Sequence, residues 1–105
     1  MSGITTHVLD TSRGCPATDV PVVLERAVDG SWERVARGAT DADGRVRDLL
    51  PGTPEAGRYR LRFDTGAHSR FYPEVTVTFA VEGDEEHYHV PLLLSPFGYS
   101  TYRGS

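Results

Sequence analysis

The chain has 105 residues, of which 25% are charged and 38% are hydrophobic, and it carries a net charge of −4. This length is enough for one domain with a single two-layer core. The acidic balance, without any concentrated run of basic residues, argues against binding to nucleic acid or to an anionic membrane, and no apolar run approaches membrane-spanning length.

Short runs of alternating polar and apolar residues recur along the whole chain, separated by Gly, Pro and Asp, and no helical period extends beyond about two turns. This pattern predicts an all-β sandwich. The predicted strands are, in chain order, residues 4–9, 20–27, 32–39, 45–48, 58–63, 74–81, 87–95 and 99–102. Asp29 and Gly30 form a hairpin signal between the second and third strands, and Asp43 and Gly44 form one between the third and fourth.

The clearest strand pair is residues 58–63 with residues 74–81. Every second residue in both segments is apolar, which predicts two half-buried antiparallel strands. The predicted inward side chains are Tyr59, Leu61, Phe63, Val75, Val77, Phe79 and Val81.

Two predicted strands carry histidines on the face turned away from the core. In residues 87–95, alternation directs four side chains inward, namely Tyr88, Val90, Leu92 and Leu94. The outer face then carries His87, His89, Pro91 and Leu93. In residues 4–9, His7 and Leu9 share the outer face. An outer face with Leu9, Pro91 and Leu93 is too apolar to remain in water, so the pattern predicts that another subunit covers it.

These residues alone leave the chemistry open, because a histidine on a strand surface is more often solvated than catalytic. The pair His87 and His89, with His7 as a third ligand, would mimic a hydrolytic zinc site of three histidines. Arg45 follows an Asp-Gly turn and by itself predicts only an exposed residue. Beside two imidazoles, however, its guanidinium could hold an anionic or polarised carbonyl oxygen.

Three sequence blocks carry a family resemblance. They are Thr-Thr-His-Val-Leu-Asp at residues 5–10, continuing through Arg-Gly-Cys-Pro-Ala at 13–17; Thr-Asp-Ala-Asp-Gly-Arg at 40–45; and residues 87–105, ending in Tyr-Arg-Gly-Ser. In these blocks the chain resembles the 5-hydroxyisourate hydrolases, the purine-degrading branch of the transthyretin-like proteins, whose chains characteristically end in Tyr-Arg-Gly-Ser. Together the blocks span nearly the whole chain in the family's order.

The resemblance implies a single transthyretin-like (prealbumin-like) domain over residues 1–105, a sandwich of two four-stranded antiparallel sheets. It also allows one short helix at residues 65–72. In this family, edge strands pair to form dimers and two dimers form a homotetramer, with the active sites in the groove between them.

The activity that the resemblance implies is hydrolysis of 5-hydroxyisourate to 2-oxo-4-hydroxy-4-carboxy-5-ureidoimidazoline, the step after urate oxidase toward allantoin. The implied catalytic residues are His7, Arg45 and His89, and the implied substrate-binding residues are His7, Arg45, Tyr102 and Ser105. Arg47 is the alternative arginine if the register differs. The family's motif does not require a histidine at position 87, so His87 stays outside the predicted site, and no metal or organic cofactor is implied.

Two other functions remain open at this point. A carrier could use the same intersubunit channel for an aromatic small molecule, and Tyr102 with the two histidines and Arg45 argues for a closed polar pocket instead. A sandwich that serves only as an interaction module of a larger protein is the third hypothesis.

Cys15 is the single cysteine, so the fold cannot depend on an intrachain disulfide, and the amino terminus lacks the features of a signal peptide. The expected location is the cytoplasm.

Overall fold

The computed structural model of the protein describes residues 2–83 and 87–104, which form two packed β-sheets. The strands within this part of the chain are β1 (Ser2–Asp10), β2 (Cys15–Pro16), β3 (Pro21–Val28), β4 (Ser31–Ala39), β5 (Arg45–Pro51), β6 (Gly57–Asp64), β7 (Glu74–Val81), β8 (Tyr88–Ser95) and β9 (Gly98–Thr101). The predicted all-β sandwich is confirmed. No helix in the described part of the chain is long and apolar enough to cross a membrane.

One sheet has four antiparallel strands in the order β4-β3-β6-β7. Its first hairpin turns at Asp29 and Gly30, whose φ angles of 52° and 82° are both positive. Such angles are typical of the two-residue turns whose twist matches that of the flanking strands, and an Asp-Gly pair adopts them readily. The predicted hairpin is confirmed, as is the antiparallel pairing of β6 with β7.

The other sheet differs from the predicted four antiparallel strands in two respects. It has five strands, because the two-residue strand β2 and the longer β5 both pair with β1. In addition, β1 and β8 run parallel, from the pair Ile4 and Tyr88 to the pair Asp10 and Leu94. Side-chain alternation does not encode strand direction, and no hairpin joins two strands so far apart in the chain.

The turn at Asp43 and Gly44 is not the predicted hairpin between paired strands. The turn itself forms, with Gly44 N donating to the carbonyl oxygen of Asp41 at 2.9 Å. It leads, however, from β4 in one sheet to β5 in the other. A Cβ at position 44 would lie 2.5 Å from the carbonyl oxygen of Val8, so a glycine lets this crossover pack directly on β1.

The core lies between the two sheets and contains the side chains predicted to face inward from β6 and β8. Tyr59, Leu61, Phe63, Tyr88, Val90, Leu92 and Leu94 are all buried. Thr6 is also fully buried, and its hydroxyl donates to the carbonyl oxygen of Val90 at 2.6 Å. This bond satisfies the polar group and ties β1 to β8.

Residues 65–72 form a loop and not the short helix that the family resemblance allowed. Backbone N–H groups of His68 and Ser69 donate to the carbonyl oxygen of Thr65, which gives a single turn. Thr65 then closes the loop, because its N–H donates to Pro73 O at 3.0 Å and its hydroxyl donates to Tyr72 O. A segment this short gains too few helical bonds to outweigh these contacts.

Candidate active site

The outer face of the five-stranded sheet brings together the three predicted catalytic side chains from three adjacent strands. His7 in β1 lies opposite Arg45 in β5. On the other side of β1, Thr5 lies opposite His89 in β8. Because residues two apart on a strand share a face, Thr5 and His7 present their side chains beside those of both neighbouring strands.

A backbone contact fixes the tautomer of His7. Its Nε2 lies 2.9 Å from the carbonyl oxygen of Asp43. A carbonyl oxygen only accepts hydrogen bonds, so Nε2 carries a proton. In the neutral ring Nδ1 is therefore the nitrogen with the free lone pair, and it is the atom through which His7 can accept a proton or a hydrogen bond.

His89 is held on two sides. Its Nδ1 lies 2.8 Å from Thr5 Oγ1, and its carbonyl oxygen accepts a hydrogen bond from Gly104 N at 2.8 Å. Burial lowers the pKa of His89 below its ordinary value of 6.5, and the nearby groups His87, Arg45 and His7 lower it further, against a smaller opposing effect of a hydrogen bond with the Thr5 backbone. A neutral imidazole at neutral pH is suited to act as a general base.

Arg45 and Arg47, the alternative arginine, have different surroundings in the structure. Arg47 is 62% exposed and forms ion pairs with Asp43 at 2.9 Å and Asp41 at 3.6 Å. No carboxylate within the described ranges pairs with the Arg45 guanidinium, whose charge acts on His89. The backbone N–H of Arg45 donates to Asp41 Oδ1 at 3.0 Å, which fixes the start of β5. The geometry thus favours Arg45 as the cation of the site.

The C-terminal residues continue the pairing of β9 with β8. Thr101 pairs with Leu92, and Gly104 forms a bridge to His89 in the same register. By this register Tyr102 falls opposite Pro91, and it is 55% exposed. The predicted contact of Tyr102 with substrate stays a prediction. Ser105, the other predicted substrate contact from this segment, lies outside the described residues.

Thr5 contacts two histidines of the candidate site, and sequence reasoning missed it. Its hydroxyl oxygen lies 2.9 Å from His87 Nε2 and 2.8 Å from His89 Nδ1. The alternation that directs His7 outward also directs Thr5 outward, so part of the signal was present in the sequence. The contact itself depends on the parallel register of β1 with β8, which alternation does not give.

The arrangement of the ring nitrogens bears on the alternative zinc site. His87 Nε2 and His89 Nδ1 both face the Thr5 hydroxyl, and His7 Nε2 faces a backbone carbonyl. No group of three or more His, Cys, Asp or Glu side chains in the described part of the chain is placed to hold a metal ion. These contacts use one ring nitrogen of each histidine.

Comparisons with known proteins agree with this fold. A family model described as "HIUase/Transthyretin family" matches residues 4–104. A 5-hydroxyisourate hydrolase of Salmonella typhimurium is 47% identical over 109 residues, covering 97% of this chain and 80% of that protein. The solved 5-hydroxyisourate hydrolase of Klebsiella pneumoniae has a TM-score of 0.84 and 39% identity, covering 99% of this chain and 100% of that one. Transthyretin from Sparus aurata has a TM-score of 0.90 and 33% identity, covering 99% and 97%. The resemblance seen in the three sequence blocks is confirmed, and the chain belongs to the HIUase/Transthyretin family.

Proposed function

We propose that the protein hydrolyses 5-hydroxyisourate to 2-oxo-4-hydroxy-4-carboxy-5-ureidoimidazoline in the degradation of urate to allantoin. The observation that carries the proposal is the placement of His7, Arg45 and His89 on one face of three adjacent strands. Relatives named 5-hydroxyisourate hydrolase over nearly the full chain support the choice of substrate.

In the proposed mechanism, His89 Nε2 removes a proton from a water molecule as its oxygen attacks the ring carbonyl. His7 accepts the second hydrogen of the same water at Nδ1 and so orients it. The negative charge that develops on the carbonyl oxygen is stabilised by the Arg45 guanidinium. Collapse of the tetrahedral intermediate breaks the ring C–N bond, and His89 returns its proton to the leaving nitrogen. Tyr102 contacts the substrate and narrows the pocket, and Ser105 is a further proposed contact.

The direct test is incubation of the protein with freshly generated 5-hydroxyisourate while its ultraviolet absorbance is followed. Decay well above the spontaneous rate, proportional to protein concentration, is the expected result. Stoichiometric binding of the compound without accelerated decay would instead support the alternative, a small-molecule carrier with the same fold. The assay must distinguish hydrolysis from binding, because the fold is also similar to that of a transthyretin structure.

The pH dependence should report the low pKa of His89. A base must be neutral, so kcat/KM is expected to fall as the pH drops through the pKa of His89, with its midpoint below pH 6.5. The measurement is kcat/KM against pH, corrected for spontaneous decay. Half-loss of activity at a pH above 6.5 would contradict the assignment.

Catalysis is expected to be independent of metal ions, because the three side chains supply a base and an oxyanion partner themselves. Prolonged dialysis against a chelator, followed by assay in metal-free buffer, should leave turnover unchanged. Loss of turnover that added zinc restores would make His87 a ligand and would replace the proposed mechanism with a zinc-dependent one.

Assembly as a homotetramer, a dimer of dimers, is also part of the proposal. Leu9 and Leu93 are only half-buried on the outer face, and three aromatic side chains near the C-terminus are exposed in the single chain, Phe97 at 81%, Tyr102 at 55% and Tyr99 at 44%. Pro91, expected to belong to the exposed apolar face, is already buried within the chain beside Gly104. The remaining apolar area is costly to leave in water.

Light scattering at working concentration should therefore give a mass near four times the chain mass of 11.5 kDa. The same sample is assayed for turnover, so that mass and activity refer to one species. A fully active monomer would contradict the proposed assembly.

The proposed location is the cytoplasm. Cys15 is a free cysteine, and the fold is closed by strand pairing and a packed core. The structure therefore does not depend on an intrachain disulfide, which a reducing compartment would break.

A further inference from the structure

The Thr5 hydroxyl forms the centre of a chain of three side chains, His87, Thr5 and His89. The two ring nitrogens lie 2.9 Å and 2.8 Å from the same oxygen, and the histidine ring centroids are 6.2 Å apart. All three residues are partly buried. Neither His87 nor Thr5 has a part in the mechanism described above.

A count of protons shows that the two bonds depend on each other. A hydroxyl has one hydrogen to donate, so Thr5 can donate to only one of the two histidines. The other histidine must donate its own N–H to the Thr5 oxygen. If His89 Nδ1–H donates to Thr5, then Thr5 donates to His87 Nε2, and the neutral His89 has its lone pair on Nε2. If His87 donates instead, the proton of His89 lies on Nε2 and the ring cannot act there as a base.

We infer that Thr5 and His87 are positioning residues that set the tautomer of His89 and, through a shift of protons along the chain, take over the positive charge that His89 gains when it removes a proton from water. The second half of this inference rests on the proposed function. When the O–H bond of water breaks and the Nε2–H bond of His89 forms, the Nδ1–H bond breaks as the Thr5 oxygen takes that proton. The original hydroxyl proton of Thr5 passes to His87 Nε2, and His87 becomes the cation. The reverse shift returns the proton for transfer to the leaving nitrogen, so no proton is gained or lost and no co-reactant is needed.

The charges around His89 favour such a transfer. Burial disfavours a positive charge on His89, and the Arg45 guanidinium opposes it as well, as do His87 and His7 whenever they carry a second proton. Keeping the proton on His89 would hold a cation in the site while Arg45 is also needed there. Moving it to His87 leaves His89 neutral through the lifetime of the tetrahedral intermediate.

The first experiment reads the tautomer without substrate. In protein labelled with ¹⁵N-histidine, the ring nitrogen shifts are followed through a pH titration of the wild type, Thr5→Val, Thr5→Ser and His87→Gln. At a pH above the pKa of His89, the wild type and Thr5→Ser should carry the proton of the neutral His89 ring on Nδ1. Protonation of His87 should perturb this tautomer. Thr5→Val keeps the β-branched shape but removes the hydroxyl, so His89 should shift toward the Nε2–H form and titrate independently of His87. Thr78→Val, an exposed threonine on β7, is the matched control and should leave both histidines unchanged.

The second experiment is kinetic. Thr5→Val and His87→Gln should each lower kcat by about 10-fold to 100-fold, part of the usual effect of acid–base catalysis, while KM stays close to that of the wild type. Thr5→Ser should retain most of kcat, because it keeps the hydroxyl. Thermal melting of each variant tests whether a loss of kcat is due to unfolding. Thr5→Ser remains informative if Thr5→Val folds poorly.

The outcomes separate this inference from the proposed function. Unchanged ¹⁵N shifts of His89 in both Thr5→Val and His87→Gln would overturn the tautomer assignment. Altered shifts with full turnover in both variants would overturn the proton transfer and leave the hydrolase assignment intact. A wild type that shows the coupled titration but does not hydrolyse 5-hydroxyisourate would refute the proposed function and the proton transfer that rests on it, and would leave the tautomer assignment intact.

Discussion

Replacement of His7, His89 or Arg45 by alanine is expected to lower turnover by about two to four orders of magnitude, the usual effect of losing a general acid–base group or an oxyanion donor. His89→Ala removes the base that accepts the proton of water. His7→Ala removes the acceptor that orients this water through Nδ1. Arg45→Ala leaves the developing oxyanion without its cation. Steady-state kinetics of the three variants, corrected for spontaneous decay of the substrate, measure the loss.

Arg47→Ala is the matched control for Arg45. Its ion pairs with Asp41 and Asp43 lie on the exposed side of the turn, and exposed pairs of this kind contribute at most about 1 kcal/mol to stability. We expect Arg47→Ala to fold and to retain nearly full turnover. All three substituted site residues lie on the outer face, so circular dichroism and melting temperature should remain close to those of the wild type. Undiminished turnover in His7→Ala and Arg45→Ala would remove the proposed mechanism.

The second large effect is expected for Gly104→Ala, a change that adds a single methyl group. A Cβ at this position would lie 2.5 Å from Cδ2 and 3.3 Å from Cγ of His89. The ring cannot simply turn aside, because its Nδ1 is bound to Thr5. Displacement of the ring by about 1 Å can cost about 100-fold in turnover, so we expect a loss of that order in kcat. Kinetics and the ¹⁵N shifts of His89 should change together.

Gly98→Ala is the control for this substitution. Gly98 begins β9, and a Cβ there would lie 3.6 Å from Ser95 Oγ, an ordinary contact. The variant should retain both turnover and fold. If Gly104→Ala keeps full turnover, then the close approach of Gly104 to His89 does not position the ring, and the glycine has another role.

Much of the fold could be predicted from the sequence, because strands half-buried in a sandwich alternate strictly. Residues 74–81 were predicted with the bounds that β7 has in the structure. Three features could not be predicted this way. The strand β2 has two residues, too few to show a period. The parallel direction of β1 and β8 does not change the alternation of their side chains. The turn at Gly44 has the same sequence pattern whether it joins two paired strands or connects the two sheets.

The site was predicted less completely than the fold, and by a different kind of signal. His7 and His89 were placed on the outer face by alternation, whereas their roles and that of Arg45 came from the family resemblance alone. The proposed roles of Thr5 and Gly104 depend on contacts with His89 that are made across backbone pairings, from β1 for Thr5 and from the segment after β9 for Gly104. Their importance depends on register, a property of the folded sheet that no single segment contains.

The parallel pairing of β1 with β8 also determines when the site can exist during folding. Thr5 and His89 are separated by 84 residues, so their contact closes one of the longest loops that the chain can form. Closing such a loop costs conformational entropy before it gains any contact, and pairings of this kind form late. The β3–β4 hairpin can form from neighbouring residues, whereas the face that carries the histidines must wait for the first and the eighth strands to meet. During synthesis the first strand therefore stays without its long-range partner until residue 89 and its neighbours have emerged. On refolding, hydrolysis should not recover before this late event, whereas the secondary structure of the β3–β4 hairpin can form earlier.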